Sequence, residues 1–166
     1  MVRIHPGLPT QQSKTEMNTK IIEMLNRLAE DNPGIRNRQF KFGAGIVYRG
    51  NLIATGVNSY KTHPMMVQWG QNEDSICLHA EIDAIKNALR LITPSQLSRC
   101  DMYIVRVKRP YTTAQTWVHG LAKPCVGCMR ALLNFGLEKV YFTTNCHGHF
   151  DCVDLKQSEI VVDSSA

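Results

Sequence analysis

The sequence predicts a layered α/β domain, a central mixed sheet of about five strands flanked by helices. Two observations carry this. Apolar residues repeat at helical and then at strand spacings in the order helix, strand, strand, helix, strand, helix, strand, strand. Strands that return through crossover helices build a sheet covered on its faces. Composition agrees, since 166 residues with 43% hydrophobic and 20% charged residues suit one domain with its own core and exclude a disordered chain. No apolar run approaches the ~18 residues of a membrane-spanning helix, and residues 1 to 16 lack the apolar core of a signal peptide. The expectation is a cytoplasmic protein with no membrane partner.

Residues 1–13 are polar, with Pro6, Gly7 and Pro9, and read as a flexible arm before a domain at 14–156. From Lys14 to Asp31, Ile21, Leu25 and Leu28 continue a stripe begun at Met17 at spacings of 4, 4 and 3, one face of an amphipathic helix that Asn32-Pro33-Gly34 ends. Phe40 to Tyr48 and Leu52 to Val57 are β-rich, and Arg49-Gly50-Asn51 between them predicts a hairpin turn. Asn58 to Ser75 reads as a long polar loop holding Tyr60, Lys61, His63 and Trp69. Such loops are functional or mobile more often than not.

A second helix is expected from Ile76 to Leu91, with Leu78, Ile82, Ile85 and Leu89 on one stripe, His79 and Glu81 in its first turn, and Pro94 past its end. Met102 to Val107 alternates as a strand, and Lys108 to Lys123 reads as a second long loop. Cys125 opens a third helix that Gly136 stops. Lys139 to Thr144 is the next strand, Asn145 to Gly148 a turn, and Phe150 to Leu155 a segment that can pair back on it. Residues 157–166 read as a polar tail with one short apolar run, Ile160 to Val162.

Chemistry concentrates at His79-Ala80-Glu81 and Pro124-Cys125-Val126-Gly127-Cys128. A histidine and two cysteines supply three nitrogen and sulfur ligands, the number that a catalytic zinc takes from protein while a fourth position stays open to water. Glu81 is then spare and free to move protons. Cysteines three apart on a helix share a face, and a helix N-terminus favours their thiolates. Residues two apart on a helix do not face each other, so spacing alone does not bring His79 and Glu81 to one water. In the absence of a secretion signal the remaining cysteines, 77, 100, 146 and 152, read as metal ligands or free thiols rather than disulfides, with Cys77 and Cys100 expected as buried small apolar residues. Cys146, His147, His149 and Cys152 have the types for a second metal, but a tight hairpin scatters alternate side chains to opposite faces. The excess of 19 basic over 14 acidic residues, a net charge of +5, suits an anionic partner such as a nucleotide phosphate, or simply solubility.

The His-x-Glu and Pro-Cys-x-x-Cys pair, in this order, resembles the signature of the zinc-dependent cytidine and deoxycytidylate deaminases. The resemblance covers roughly residues 38 to 145. It implies a three-layer α/β/α fold of the cytidine-deaminase type, a Zn2+ cofactor held by His79, Cys125 and Cys128, and Glu81 as the catalytic acid and base. The backbone amides of Ala80 and Cys125 are then expected over the attacked water or the base. Asn58, which follows the second strand, takes the place of an asparagine that contacts sugar or base in relatives, although an asparagine also suits a turn. His63, Tyr60 and Trp69 are candidates to stack on a base or hold a phosphate, or are simply packed down. Lys61, Lys123 and Arg130 are candidate phosphate cations or plain surface residues.

The resemblance leaves the substrate open. The first expectation is deamination of dCMP to dUMP, ahead of cytidine or deoxycytidine. A deaminase of a base in single-stranded nucleic acid needs aromatics around the pocket, for which Trp69, Tyr111 and Trp117 are available. A non-catalytic zinc module needs a fourth ligand, such as Cys146 or His147. Gly56-Val57-Asn58-Ser59-Tyr60-Lys61-Thr62-His63-Pro64 departs from the usual deoxycytidylate pattern. Cys125 follows His79 by 46 positions, a long interval whose excess lies in the 108–123 loop, placed to set the substrate if it borders the site. A hairpin-like C-terminal end is closer to the cytidine branch. Relatives often assemble into homo-oligomers in which neighbouring subunits complete the pocket, and the same is expected here.

Overall fold

A computed structural model of the chain describes residues 11–36, 40–70 and 77–157. Its sheet starts from a hairpin, because Arg49 and Gly50 both take left-handed φ angles, 49° and 79°, as a two-residue turn that matches strand twist requires. That turn joins β1 (Lys41–Tyr48) to β2 (Asn51–Val57). The free side of β1 pairs antiparallel with β3 (Asp101–Lys108), which pairs in parallel with β5 (Lys139–Thr143). Finally β6 (Phe150–Asp154) folds back antiparallel on β5. The sheet is mixed, in the order β2-β1-β3-β5-β6, with a sixth strand, β4 (Val118–Gly120), beside β3. Where β5 leaves β3 and β4 takes over, the buried Thr143 hydroxyl accepts from the Arg106 N–H at 3.1 Å and donates to the Gly120 carbonyl at 2.9 Å.

Alternation along β3 divides the core. Tyr103, Val105 and Val107 face α1 (Gln11–Glu30), which buries Ile21, Ile22, Leu25 and Ala29 against them. Met102 and Ile104 face the other way, toward α3 (Ala80–Ala88) and α5 (Val126–Asn134), where Ile82, Ile85, Ala131 and Leu132 are buried. Each fully buried Ile or Leu in these faces contributes about 2 kcal/mol of transfer free energy. The result is the expected three-layer arrangement. Gly43 permits the close seat of α1, since a Cβ there would stand 2.8 Å from the Leu25 carbonyl oxygen.

Several boundaries differ from the sequence expectation. Helix α1 starts at Gln11 rather than Lys14. Loop 58–75 contains a short helix, α2 (Pro64–Trp69), and Pro94, expected only beyond a helix end, opens α4 (Pro94–Leu97) under a Thr93–Gln96 capping box. Helices of six and four residues are too short to show a periodic stripe. Loop 108–123 carries β4. Gly136, with φ of 74°, ends α5 as expected, and no helix separates β5 from β6. Residues 1–10 of the arm and 158–166 of the tail, with the Ile160–Val162 run, lie outside the described residues. Among the described residues no helix is long and apolar enough to cross a membrane.

Candidate active site

Two helix starts converge on one point. Gly56 allows α3 to lie directly on β2, because a Cβ at that position would stand 2.3 Å from the Ala84 nitrogen. Two bonds then fix the helix: Asp83 accepts from the Val57 N–H at 3.1 Å, and the Asn87 amide donates to the Thr55 carbonyl at 2.8 Å. The helix begins at Ala80 rather than Ile76, since Leu78 is bridged to Ser59 by backbone bonds of 3.0 Å in both directions. This corrects the placement of His79 in the first turn. His79 is the residue before the helix, with extended backbone (φ −82°, ψ 149°), so the facing rule for helical residues does not separate it from Glu81. Cys125 holds the matching position before α5, and its sulfur accepts the Cys128 N–H at 3.5 Å. Gly127 keeps α5 in place, because a Cβ there would strike the Trp69 carbonyl at 1.9 Å.

The His79 Nδ1 lies 3.3 Å from the Cys128 sulfur and 3.6 Å from the Cys125 sulfur. A tetrahedral zinc with bonds of ~2.1 Å to nitrogen and ~2.3 Å to sulfur sets such atoms about 3.6 Å apart. The three donors therefore fit that ion, and among the described residues they are the one cluster of this kind. The Cys125 thiol is drawn down to about 4, first by its hydrogen bond with Cys128 and, against burial, by His79. Cys128 is pushed far up by its bond to Cys125 and by burial, and both thiols must lose their protons to ligate a metal. His79 is raised by its bond to Cys125, which outweighs burial, with the Glu81 charge adding to it. Glu81, 5% exposed, is raised chiefly by burial. Burial favours the protonated carboxyl and makes the ionised Glu81 a stronger proton acceptor than an exposed glutamate.

A cavity of about 310 Å³ lies over this point, and Phe40, Phe42, Asn58, Glu81 and Lys123 are on its wall with His79 and Cys125. Ala80 lines it too, and its N–H is a first-turn donor without an intrahelical acceptor. Asn58 lines the cavity, yet its amide is spent on backbone: its oxygen accepts from Phe42 at 2.9 Å and its nitrogen donates to the Phe40 carbonyl. His63 is not on the wall, and its Nδ1 accepts the Met65 N–H at 3.2 Å to cap α2. Lys61 and Arg130 are exposed and outside the lining. Trp69 packs on Phe135, and Trp117 lies under Arg109. Loop 108–123 thus contributes Lys123 alone to the cavity, because β4 and Trp117 tie it to β3 and the α1 face. His147 is engaged with His119, accepting its backbone N–H at 3.1 Å.

Phe40 and Phe42 were not singled out from sequence as site residues. The available signal was a pair of aromatics two apart at the mouth of a strand, which share a face. Asn32 was read only as part of a helix stop. It is 4% exposed and donates to the Asn58 carbonyl at 2.8 Å, which holds the Asn58 turn against the end of α1.

The family described as the cytidine and deoxycytidylate deaminase zinc-binding region matches residues 15–144. No curated protein sequence matches. Among solved structures, the fold is similar to a cytidine deaminase from Burkholderia pseudomallei, at 20% identity over 82% of this chain and 91% of that one, with a TM-score of 0.55. It is also similar to the apo dCMP deaminase of the cyanophage S-TIM5, at 18% identity over 81% and 86%, with a TM-score of 0.50.

Proposed function

The chain belongs to the zinc-dependent cytidine and deoxycytidylate deaminases, and from that premise we propose that it hydrolyses the amino group of cytosine in a small nucleotide, converting dCMP to dUMP. The observation that carries the reading is one cavity whose wall brings together His79, Cys125 and the buried Glu81, with the buried Cys128 sulfur completing the donor set 3.3 Å from the His79 ring. His79, Cys125 and Cys128 would hold the zinc, which when bound supplies the Lewis acidity that lets water ionise near neutral pH. Glu81 takes the proton from that water as its oxygen bonds to C4 of the base. Glu81 passes this proton to the ring nitrogen. It then moves a second proton to the departing amine, so that the C4–N bond breaks, ammonia leaves and the uracil carbonyl forms. The Ala80 N–H, on the cavity lining, is the donor assigned to the base, and Phe40 and Phe42 are its assigned aromatic wall.

Lys123 is the one lysine or arginine on the described wall, and it is the group assigned to the monophosphate. The second reading, a cytidine or deoxycytidine deaminase, is favoured by the β5–β6 hairpin, the chain end tied above to the cytidine branch. A single-stranded nucleic acid substrate would draw on Phe40, Phe42 and Tyr60, the aromatics on the cavity wall, since Trp69, Tyr111 and Trp117 are not on it. A homo-oligomer in the cytoplasm is part of the same proposal. Ammonia release by the zinc-loaded protein on dCMP, deoxycytidine, cytidine and a cytosine-containing oligonucleotide tests it. Turnover of dCMP at a kcat/KM above that of the nucleosides supports the first reading, a reversed order supports the second, and no turnover of any removes both.

A further inference from the structure

We propose that Arg106 is a positioning residue that clamps the aromatic wall of the cavity, Phe40 and Phe42, so that the rings are ordered before a pyrimidine stacks on them. The identity of the stacked ligand rests on the deaminase reading above; the clamp itself rests on the sheet. Phe40 and Phe42 flank the first residue of β1 and both line the cavity. Phe40 is 50% exposed, so close packing does not by itself fix its ring.

The β1/β3 register places Arg106 directly across from Phe42. The Arg106 Cζ lies 5.6 Å from the ring centroid of Phe42 and 5.6 Å from that of Phe40, within the range over which a guanidinium is held by ring faces. Its other flank is equally specified. In the β3/β4 register Arg106 stands opposite Gly120, where a Cβ would lie 2.9 Å from the Arg106 Cδ. The glycine leaves the arginine stem its path across the strand, and Thr143 anchors the Arg106 backbone at 3.1 Å. Arg106 does not line the cavity itself, so its action on substrate passes through the two rings. Ordering a wall in advance lowers the cost of binding without changing what Glu81 does to the bound base. The effect falls on KM and leaves kcat alone.

The test compares Arg106→Met, Arg106→Lys and Gly120→Ala with the wild type, in steady-state kinetics on the best cytosine substrate and in NMR spectra of protein labelled with ring-13C phenylalanine. Expected for Arg106→Met is a KM raised about tenfold, kcat within twofold, an unchanged zinc content and altered Phe40 and Phe42 signals. Arg106→Lys should recover most of the KM. Gly120→Ala, which pushes on the arginine stem without touching the cavity, should raise KM a few-fold. An unchanged KM in Arg106→Met, or a loss confined to kcat, overturns the clamp. If the wild type turns over no cytosine compound, the function reading fails by itself, and unaltered ring signals in the two arginine variants still overturn the clamp.

Discussion

His79 and His119 lie on opposite sides of the sheet, and the fold moves their titration in opposite directions. His79 is raised because its ring bonds to Cys125. His119 is lowered by burial and by the neighbouring His147. Its Nε2 meets the Asn26 side chain at 3.0 Å, its Nδ1 accepts the Gly148 N–H at 3.1 Å, and its ring sits 4.5 Å from that of His147. Both neighbourhoods are rich in metal-ligand residue types, and the 146–152 stretch, with Cys146, His147, His149 and Cys152, is the denser of the two in sequence. Only the first converges, because two helix starts from distant parts of the chain point there. In the second, one ring nitrogen each of His119 and His147 accepts a backbone N–H, and these two bonds tie the turn to β4. The lesson is that donor types become a metal site by topology, not by local density.

The sharpest way to break the comparison is to remove the group to which the proton transfers are assigned. Glu81→Gln should keep the fold and the zinc while losing roughly 10²–10⁴-fold in kcat, the range of one acid–base group; ammonia release together with zinc content checks it, and an unchanged rate removes the proposed role. The next effect separates the two donor sets. Cys125→Ser should lose stoichiometric zinc, whereas Cys146→Ser and Cys152→Ser should retain one zinc per chain. Metal analysis after dialysis decides, and loss of zinc from the latter pair would mean that the second stretch does gather donors.

The same contrast explains what the sequence made legible. The clustering of His79, Cys125 and Cys128 near Glu81 was legible because those residue types stand at characteristic spacings, and the alternation of β3 and the stripe of α3 were long enough to declare themselves. Register was not readable. Arg106 meets Phe42 and Gly120 only through pairings with β1 and β4, and β4 is three residues long, too short for any period. The start of α3 was misplaced because Leu78 continues the apolar stripe of the helix while its backbone pairs with Ser59. His63 carried the residue type of a site histidine, and a helix cap uses that type just as well. Asn58 was found by position, but its bonds to Phe40 and Phe42 assign its amide to holding the wall.

The smallest effect sets the two sides against pH. Because the folded pKa of His119 lies below the usual 6.5, the unfolded chain takes up the proton first, and stability is full above pH 6.5 and lost as pH falls through the folded value. The loss is of the order of 1 kcal/mol, the worth of the Gly148 N–H bond that a protonated ring can no longer accept. Asp101 works the other way. Burial, with the Glu138 charge added, raises it to about 6, and one of its oxygens is buried without a hydrogen-bond partner. Its carboxylate therefore costs stability at neutral pH and ceases to do so as pH falls from about 6 toward 4, a gain of about 0.5 kcal/mol once solvent screening is allowed for. In the wild type the two slopes oppose each other between pH 7 and 5, so the variants are needed to see either. Urea unfolding at pH 7 and pH 5 should show a flatter loss in His119→Gln and a steeper one in Asp101→Asn. Equal slopes in all three proteins would mean that neither group is linked to folding, and that the His119 contacts hold the turn in place without sensing the proton.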